Sequence, residues 1–183
     1  MKVLLDNGHG KDTKGKCSPL WHDGTQLFEW QHNRIIARRV KDELEKLGIE
    51  VELIVPEEDD VSNWDRVKRI NSHDEKCIVV SIHCNAGGGH GWEVWTTTRQ
   101  NNSDKLANCF VEVFPEIFPD KKNRGAKEKN FTILNGSKFP IVLTENFFMD
   151  TEDECKWLMT DDAITRIVKL HVKAIKMYLN LYK

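Results

Sequence analysis

The chain lacks any apolar run close to the roughly 20 residues that a membrane-spanning helix needs. Its N-terminus is not typical of a secretory signal peptide, because the apolar stretch covers only residues 3–5 and is followed by polar residues and glycine. The five cysteines are odd in number and show no C-x-x-C spacing. The sequence therefore argues against membrane insertion, a disulfide framework and a cysteine-based zinc ribbon, and it predicts mostly buried, reduced thiols.

The chain also has no large imbalance of charge. It contains 27 basic and 29 acidic residues, a formal net charge of −2, which gives no sign of a nucleic-acid or membrane-surface binder. Internal repeats and linkers rich in proline, glycine or serine are absent as well. With 183 residues, 39% of them hydrophobic and 31% charged, the chain predicts one globular domain over residues 1–183.

Short apolar runs alternate with amphipathic helical patterns along the chain. In the helical segments apolar residues recur at three- and four-residue steps, with Gly48 as an end residue and Ser62 and Ser103 as caps. This alternation predicts an α/β fold, a single domain with a mostly parallel, twisted sheet and helices on both faces. The predicted strands are residues 2–5, 51–55, 77–82, 92–97 and 141–143, and the predicted helices lie within residues 27–47, 62–70, 103–115 and 164–179.

Ionisable residues follow three of the predicted strands, where the crevice of a parallel α/β sheet forms. These residues are His9, His83 and Glu145. Glu29 lies near the start of the helix that follows the strand of His9, and a right-handed connection brings that helix start to the same edge. Two histidines and a carboxylate are the usual donors for a catalytic zinc ion with one open position. The sequence therefore predicts a zinc site, with Glu29 as a plausible ligand and Glu145 left as a base.

Each of these residues also has a structural interpretation. A histidine between Gly8 and Gly10 can be a turn residue, Glu29 can stabilise the positive end of a helix, and Glu145 can be a salt-bridge partner. Their shared position at strand ends favours the metal site over three unrelated structural roles.

Other reactive residues give weaker signals. Cys84 follows His83 directly, but neighbours on a strand point to opposite faces, which disfavours a nucleophilic cysteine–histidine pair. Glu29 and His32 have the spacing of a di-metal motif but lack the matched second pair that such a site needs. The basic segment 121–129 is predicted to be a solvated loop. The remaining histidines are predicted to lie in loops or on helix surfaces, namely His22, His73, His90 and His171.

Several short motifs occur in a fixed order along the chain. They are Asp-x-Gly-His-Gly at residues 6–10, Ser-Ile-His-x-Asn-Ala at 81–86, Gly-x-Glu-Val at 91–94, Arg-Gly at 124–125 and Pro-x-Val-Leu-x-Glu at 140–145. Together they resemble the catalytic domain of zinc-dependent N-acetylmuramoyl-L-alanine amidases, the type found in bacterial cell-separation enzymes and phage endolysins. The resemblance extends over essentially the whole chain.

The resemblance implies roles for the four candidate residues. His9, Glu29 and His83 would bind Zn²⁺, and Glu145 would be the catalytic carboxylate. The implied substrate is peptidoglycan or a muropeptide, cut at the amide between N-acetylmuramic acid and L-alanine of the stem peptide. The implied place of action is the cell wall, and the sequence indicates no particular regulatory partner.

Further residues are expected around the zinc site on the same grounds. Arg124 and Asn85 are expected to contact the substrate, and Asp6 is expected to support a ligand histidine. Trp21 is expected to border the substrate groove because it lies in the segment 12–26, which follows His9 and departs from the spacing usual in the family.

Two other functions are compatible with the sequence. One is another zinc-dependent peptidase or deacetylase on a similar scaffold, which substrate profiling on muropeptides and free peptides would distinguish. The other is a non-catalytic cell-wall-binding module, which is disfavoured because all four site residues are present.

Overall fold

A computed structural model describes residues 1–98 and 102–182 and contains a six-stranded sheet with helices on both faces. The strands are β1 (Lys2–Asn7), β2 (Val51–Leu53), β3 (Cys77–Asn85), β4 (Trp92–Thr96), β5 (Asn123–Glu128) and β6 (Ile141–Phe148). The helices are α1 (Glu29–Lys46), α2 (Asn63–Asn71), α3 (Asn102–Ile117), α4 (Thr132–Gly136), α5 (Glu152–Leu158) and α6 (Asp161–Leu181).

The strand order in the sheet is β2-β1-β3-β6-β4-β5. All neighbouring strands are parallel except β4 and β6, which are antiparallel. The predicted α/β fold with a mostly parallel sheet is therefore confirmed. The carboxyl ends of β1, β3 and β6 lie at one edge of the sheet, which is where the predicted site residues follow these strands.

Both faces of the sheet are buried under helices, because successive side chains of a strand point to opposite faces. Val3 and Leu5 of β1 pack in the larger core with α1, α3 and α6, whereas Leu4 packs in the smaller core with α2 and α4. This double burial explains the nearly continuous apolar runs in the central strands. Four of the five cysteines are buried free thiols. Within the described ranges, no helix has the length and apolarity needed to cross a bilayer.

Two of the predicted helix ends are confirmed by the backbone. The Ser62 hydroxyl caps α2 by accepting a hydrogen bond from the amide of Asp65. Gly48 follows α1 with a φ of 75°, a left-handed conformation that glycine adopts without strain, and its amide donates to the carbonyl of Glu45.

The predictions for residues 103–129 are corrected in three places. Ser103 lies inside α3, where its hydroxyl accepts a hydrogen bond from the amide of Ile141 and ties the helix to β6. Pro115 does not end α3, which continues to Ile117. The basic segment predicted to be a loop contains β5, an edge strand paired with β4 alone. Charged residues are common on such edges because they prevent further strand pairing. Because β5 consists largely of polar and charged residues, its sequence shows no apolar alternation that would predict a strand.

His171 is also corrected, since it is completely buried rather than on a helix surface. Its Nδ1 lies 2.8 Å from the carbonyl oxygen of Ile167, which can only accept, so Nδ1 carries the proton. Nε2 must then accept, and the Thr144 hydroxyl lies 3.0 Å from it. Because both ring nitrogens are satisfied, the imidazole can be buried without its charge.

Candidate active site

The turn after β1 is shaped around two imidazole rings. His9 has a φ of 65°, a left-handed conformation that is uncommon for residues with a side chain. At Gly8, a Cβ would lie only 1.9 Å from Cε1 of His83. A side chain at Gly8 would therefore displace the His83 ring, and glycine at this position is what allows both histidines to approach each other.

His9, Glu29 and His83 form a compact cluster of donor atoms. Nδ1 of His83 lies 3.1 Å from Oε1 of Glu29, and Nε2 of His9 lies 3.4 Å from Oε2 of Glu29. The three donor atoms all lie within 4.8 Å of one another. Histidine nitrogens and a carboxylate oxygen are usual zinc donors, so the chemistry of this cluster suits a divalent ion.

Glu29 is the first residue of α1 and is 1% exposed. Its amide donates to the carbonyl of Lys16, and its Oε1 also accepts from the amide of Cys84. Its Oε2 is buried and has no hydrogen-bond partner. A buried, unsatisfied carboxylate oxygen beside two imidazoles is what a metal-binding cluster requires before the ion is present, so the residues fit a divalent ion.

The electrostatic environment separates the protonation states of the cluster. Burial and the charge of His83 lower the pKa of His9 to about 3. Burial opposes ionisation of Glu29, but the hydrogen bond from His83 and the charges of both histidines outweigh it and lower the pKa of Glu29 to about 2. For His83 burial disfavours the cation, yet the hydrogen bond and charge of Glu29 raise its pKa. Near pH 7, His9 is therefore neutral and Glu29 ionised, as metal ligation requires, whereas His83 would release its proton on metal binding.

Three ionisable residues lie in register on the neighbouring strands β3, β6 and β4. β3 and β6 extend beyond the predicted apolar runs, so His83 and Glu145 lie within strands rather than after them. Glu145 is in register with His83 of β3 on one side and with Glu93 of β4 on the other. Residues in register project from the same face of a sheet, so this row brings the cluster of His9, Glu29 and His83 next to two carboxylates.

Glu93 is the saturated member of this row. Its Oε1 accepts hydrogen bonds from Nδ2 of Asn85 at 2.9 Å and from the indole of Trp95 at 3.1 Å. Its Oε2 accepts from Nε of Arg124 and from Nζ of Lys127, both at 2.5 Å. Burial opposes ionisation of Glu93, but the hydrogen bonds and charges of Lys127 and Arg124 outweigh it and lower the pKa of Glu93.

Glu145 is the unsatisfied member of the row. Its Oε2 is buried without a hydrogen-bond partner. Burial and the negative charges of Glu29 and Glu93 raise its pKa to about 7, with His83 opposing the shift. The two carboxylates therefore differ in role, because Glu93 is held charged and Glu145 can exchange a proton near neutral pH.

A polar cavity of about 260 Å³ opens onto these residues. Glu29, His83 and Glu145 line it together with Lys16, Trp95 and Lys129. A larger groove of about 680 Å³ lies between α1 and α6, and it contains none of the predicted site residues. The chemistry of the donor set, rather than the size of the cavity, therefore identifies the site.

The residues expected around the cluster have different positions. Asn85 and Arg124 both contact Glu93 at the cavity, as described above. The indole of Trp21 instead donates to Sγ of Cys155 at 3.3 Å, and the ring packs against the larger core without lining the cavity. Substrate contact by Trp21 stays a prediction.

Asp6 does not hold a histidine through a hydrogen bond. Its Oδ2 accepts from the Ser81 hydroxyl at 2.6 Å, and its Oδ1 lies 3.6 Å from a guanidinium nitrogen of Arg66. Its charge nevertheless contributes to raising the pKa of His83.

A chain of hydrogen bonds supports the backbone of His83 from behind the sheet. The side-chain amide of Asn146 donates to the carbonyl of His83 at 3.0 Å and to the Thr144 hydroxyl at 3.2 Å. The Thr144 hydroxyl in turn donates to Nε2 of His171. All donor and acceptor roles in this chain are consistent, so the network links α6 to the strand position of His83.

Sequence reasoning missed Glu93, Lys16 and Lys129 as members of the site. Two signals could have revealed Glu93. It stands in the Gly-x-Glu-Val motif at residues 91–94, and a carboxylate inside a buried strand needs partners. The two lysines carry no such signal, since they lie outside the strands, before α1 and after β5.

The sequence profile described as N-acetylmuramoyl-L-alanine amidase matches residues 3–177. The chain belongs to this family. The sporulation-specific N-acetylmuramoyl-L-alanine amidase of Bacillus subtilis (strain 168) is 29% identical over 191 residues, which cover 100% of this chain and 70% of that protein. The endolysin of Bacillus phage SPP1 is 30% identical over 189 residues, which cover 99% of this chain and 67% of that protein.

Solved amidase structures have the same fold. The crystal structure of the N-acetylmuramoyl-L-alanine amidase from Clostridium difficile 630 gives a TM-score of 0.91 at 26% identity, covering 100% of this chain and 98% of that one. The catalytic domain of the amidase CwlV from Bacillus (Paenibacillus) polymyxa var. colistinus gives 0.85 at 25% identity, covering 98% and 99% of the two chains. The activity of this family member is hydrolysis of the N-acetylmuramoyl–L-alanine amide of peptidoglycan.

Proposed function

We propose that this amidase is zinc-dependent, with the ion held by His9, Glu29 and His83 and with Glu145 as general base. The observation that carries the proposal is the cluster of three donor atoms beside an unsatisfied carboxylate oxygen of Glu145. When bound, zinc supplies Lewis-acid polarisation of the scissile carbonyl and lowers the pKa of a water molecule. Three protein ligands leave one coordination position open for this chemistry.

Glu145 is proposed to move the proton in the reaction. Its Oε2 would accept a proton from the attacking water and deliver it to the nitrogen of the L-alanine amine as the amide bond breaks. A fourth carboxylate ligand would close the zinc shell, so the role beside the water suits Glu145 better than a role on the metal.

Glu93 is proposed to keep the adjacent cations away from Glu145. Because Arg124 and Lys127 both donate to Oε2 of Glu93, neither is paired with Glu145. The base is thereby left free for proton transfer.

Mass spectrometry of purified cell wall after digestion tests this function. An amidase releases stem peptides with a free L-alanine N-terminus and leaves intact N-acetylmuramic acid on the glycan. New termini within the stem peptide would indicate a peptidase, released acetate would indicate a deacetylase, and wall binding without products would indicate a binding module. Removal of zinc with a chelator should abolish product formation, and adding zinc back should restore it.

A further inference from the structure

The whole chain carries a formal net charge of −2. The cavity is lined by three carboxylates and two lysines. Each carboxylate at the cavity has an assigned role. Glu93 is neutralised by two cations, Glu29 faces the two histidines, and Glu145 faces the reaction. Lys16 and Lys129 also line the cavity, and neither of them is paired with one of these carboxylates.

Lys16 lies at the α1 side of the cavity. Its carbonyl accepts the amide of Glu29 at 3.0 Å, which fixes its backbone at the start of the helix. Its charge acts on the pKa of both His9 and Glu145, so its ammonium lies within electrostatic range of the reacting groups. Among residues 1–98 and 102–182, no carboxylate forms an ion pair with it.

Lys129 also lines the cavity and lies just after β5. Its amide donates to the carbonyl of Thr96 at 3.0 Å, and its Nζ lies 4.7 Å from the ring centre of Phe131 and 5.9 Å from that of Trp95. The hydrogen bond from the Trp95 indole to Glu93 fixes that ring. Contact with aromatic faces orients an ammonium but leaves its N–H donors available. No carboxylate of the described residues pairs with Lys129 either.

We propose that Lys16 and Lys129 recognise a free carboxylate on the stem peptide, next to the scissile amide. The proposal rests on the proposed function, since it deepens the specificity of that same site. A bound divalent ion would add to the positive charge of the two lysines, so the cavity favours an anionic ligand. The lysines share one small cavity with His83 and Glu145, so the carboxylate lies close to the scissile amide. The carboxyl group of L-alanine is itself in a peptide bond, so we assign the carboxylate to the residue that follows L-alanine.

Steady-state kinetics on two matched substrates test this proposal. The substrates are synthetic N-acetylmuramoyl-L-alanyl peptides that differ only in a free carboxylate or a carboxamide on the second residue. The wild-type enzyme should prefer the carboxylate by about tenfold in kcat/KM, the size expected of a hydrogen bond to a charged group. Lys16→Ala and Lys129→Ala should each reduce this preference through KM, and the double variant should remove it. In each lysine variant the rate on the carboxamide should fall less than the rate on the carboxylate.

A matched control and a salt series complete the experiment. Lys138 also stacks on an aromatic ring, that of Phe139, but does not line the cavity, so Lys138→Ala should keep the preference. Rising ionic strength should reduce the preference of the wild type. Equal rates of the wild type on both substrates would overturn the proposal, and so would an equal loss on both in the lysine variants. If neither synthetic substrate nor cell wall yields a product with an L-alanine N-terminus, the proposed function is refuted, and the specificity proposal is refuted with it.

Discussion

Glu93 and Glu145 are directly opposite each other on β4 and β6, yet only one of them is hydrogen-bonded to saturation. Glu93 accepts from two cations and two uncharged N–H groups, whereas Oε2 of Glu145 accepts from none. Adjacent carboxylates can take different roles when their surroundings shift their pKa values in opposite directions. The pair gives the cavity one fixed charge and one carboxyl group that can exchange a proton near neutral pH.

Loss of the Glu93 charge should therefore lower the free energy of unfolding by more than a typical surface substitution does. Glu93→Gln would leave Arg124 and Lys127 beside the cavity without their shared carboxylate. We expect a decrease of about 1–3 kcal/mol in the free energy of unfolding, measured by urea denaturation. Glu112→Gln on the exposed side of α3 is the control and should change stability by less than about 0.5 kcal/mol. Equal effects of the two substitutions would contradict the structural role of Glu93.

The sequence predicted the positions of His9, His83 and Glu145 because apolar runs end just before them. It placed His83 and Glu145 after their strands, whereas β3 and β6 continue through them. Polar residues can continue a strand where the sheet face borders an open cavity rather than a helix. The apolar pattern reports burial, and it therefore ends before the strand does.

Other parts of the site depend on contacts between distant segments. The charged partners of Glu93 are Arg124 and Lys127, more than 30 residues away on β5, a strand with no apolar alternation. His171 lies four residues after Ile167 and four before Ile175, on the buried stripe of α6, so periodicity could have predicted its burial. Its partner Thr144 comes from another element. Such pairings are not encoded in local periodicity, and a single sequence could not reveal them.

Zinc binding should depend on His83. We expect one zinc ion per chain by elemental analysis of the purified protein, and His83→Ala should lose most of it because one of three protein ligands is missing. His22→Ala changes an exposed loop histidine and should retain the metal. Circular dichroism on the same samples would show whether the variant is folded. Full zinc retention in a folded His83→Ala protein would exclude His83 as a ligand.

The substitution Trp21→Ala distinguishes a packing role of Trp21 from a role in substrate contact. The hydrogen bond of its indole to Cys155 and its packing on the core lead us to expect that Trp21→Ala lowers the free energy of unfolding by about 1–3 kcal/mol. Zinc content should not change. If Tm is preserved while KM on cell wall rises, Trp21 contacts the substrate as the sequence alone predicted.

His171 should make stability depend on pH. Burial lowers its pKa from 6.5 to about 4, only partly opposed by the Ile167 carbonyl. The unfolded chain takes up the proton near pH 6.5 and the folded chain only near pH 4, so this contribution is complete above about pH 6.5 and is lost as the pH falls towards 4. Between pH 7 and pH 5 we expect a loss of about 2 kcal/mol from this group.

Denaturation curves at several pH values would check this dependence. His171→Gln keeps a hydrogen-bonding side chain without a titrating ring, so its stability should fall less steeply between pH 7 and pH 5 than that of the wild type. Identical slopes for the two proteins would show that His171 does not contribute.

The most direct test of the account is the rate of Glu145→Gln on purified peptidoglycan, with zinc content measured on the same sample. The substitution keeps the size of the side chain but removes the proton acceptor, and loss of a general base costs on the order of 10²–10⁴ in rate. We predict one zinc ion per chain, an unchanged Tm and a rate at least about a hundredfold below the wild type, with Glu128→Gln on the edge strand retaining full activity. A rate close to the wild type would contradict the role of Glu145 as the base, and loss of zinc from the variant would place Glu145 on the metal instead.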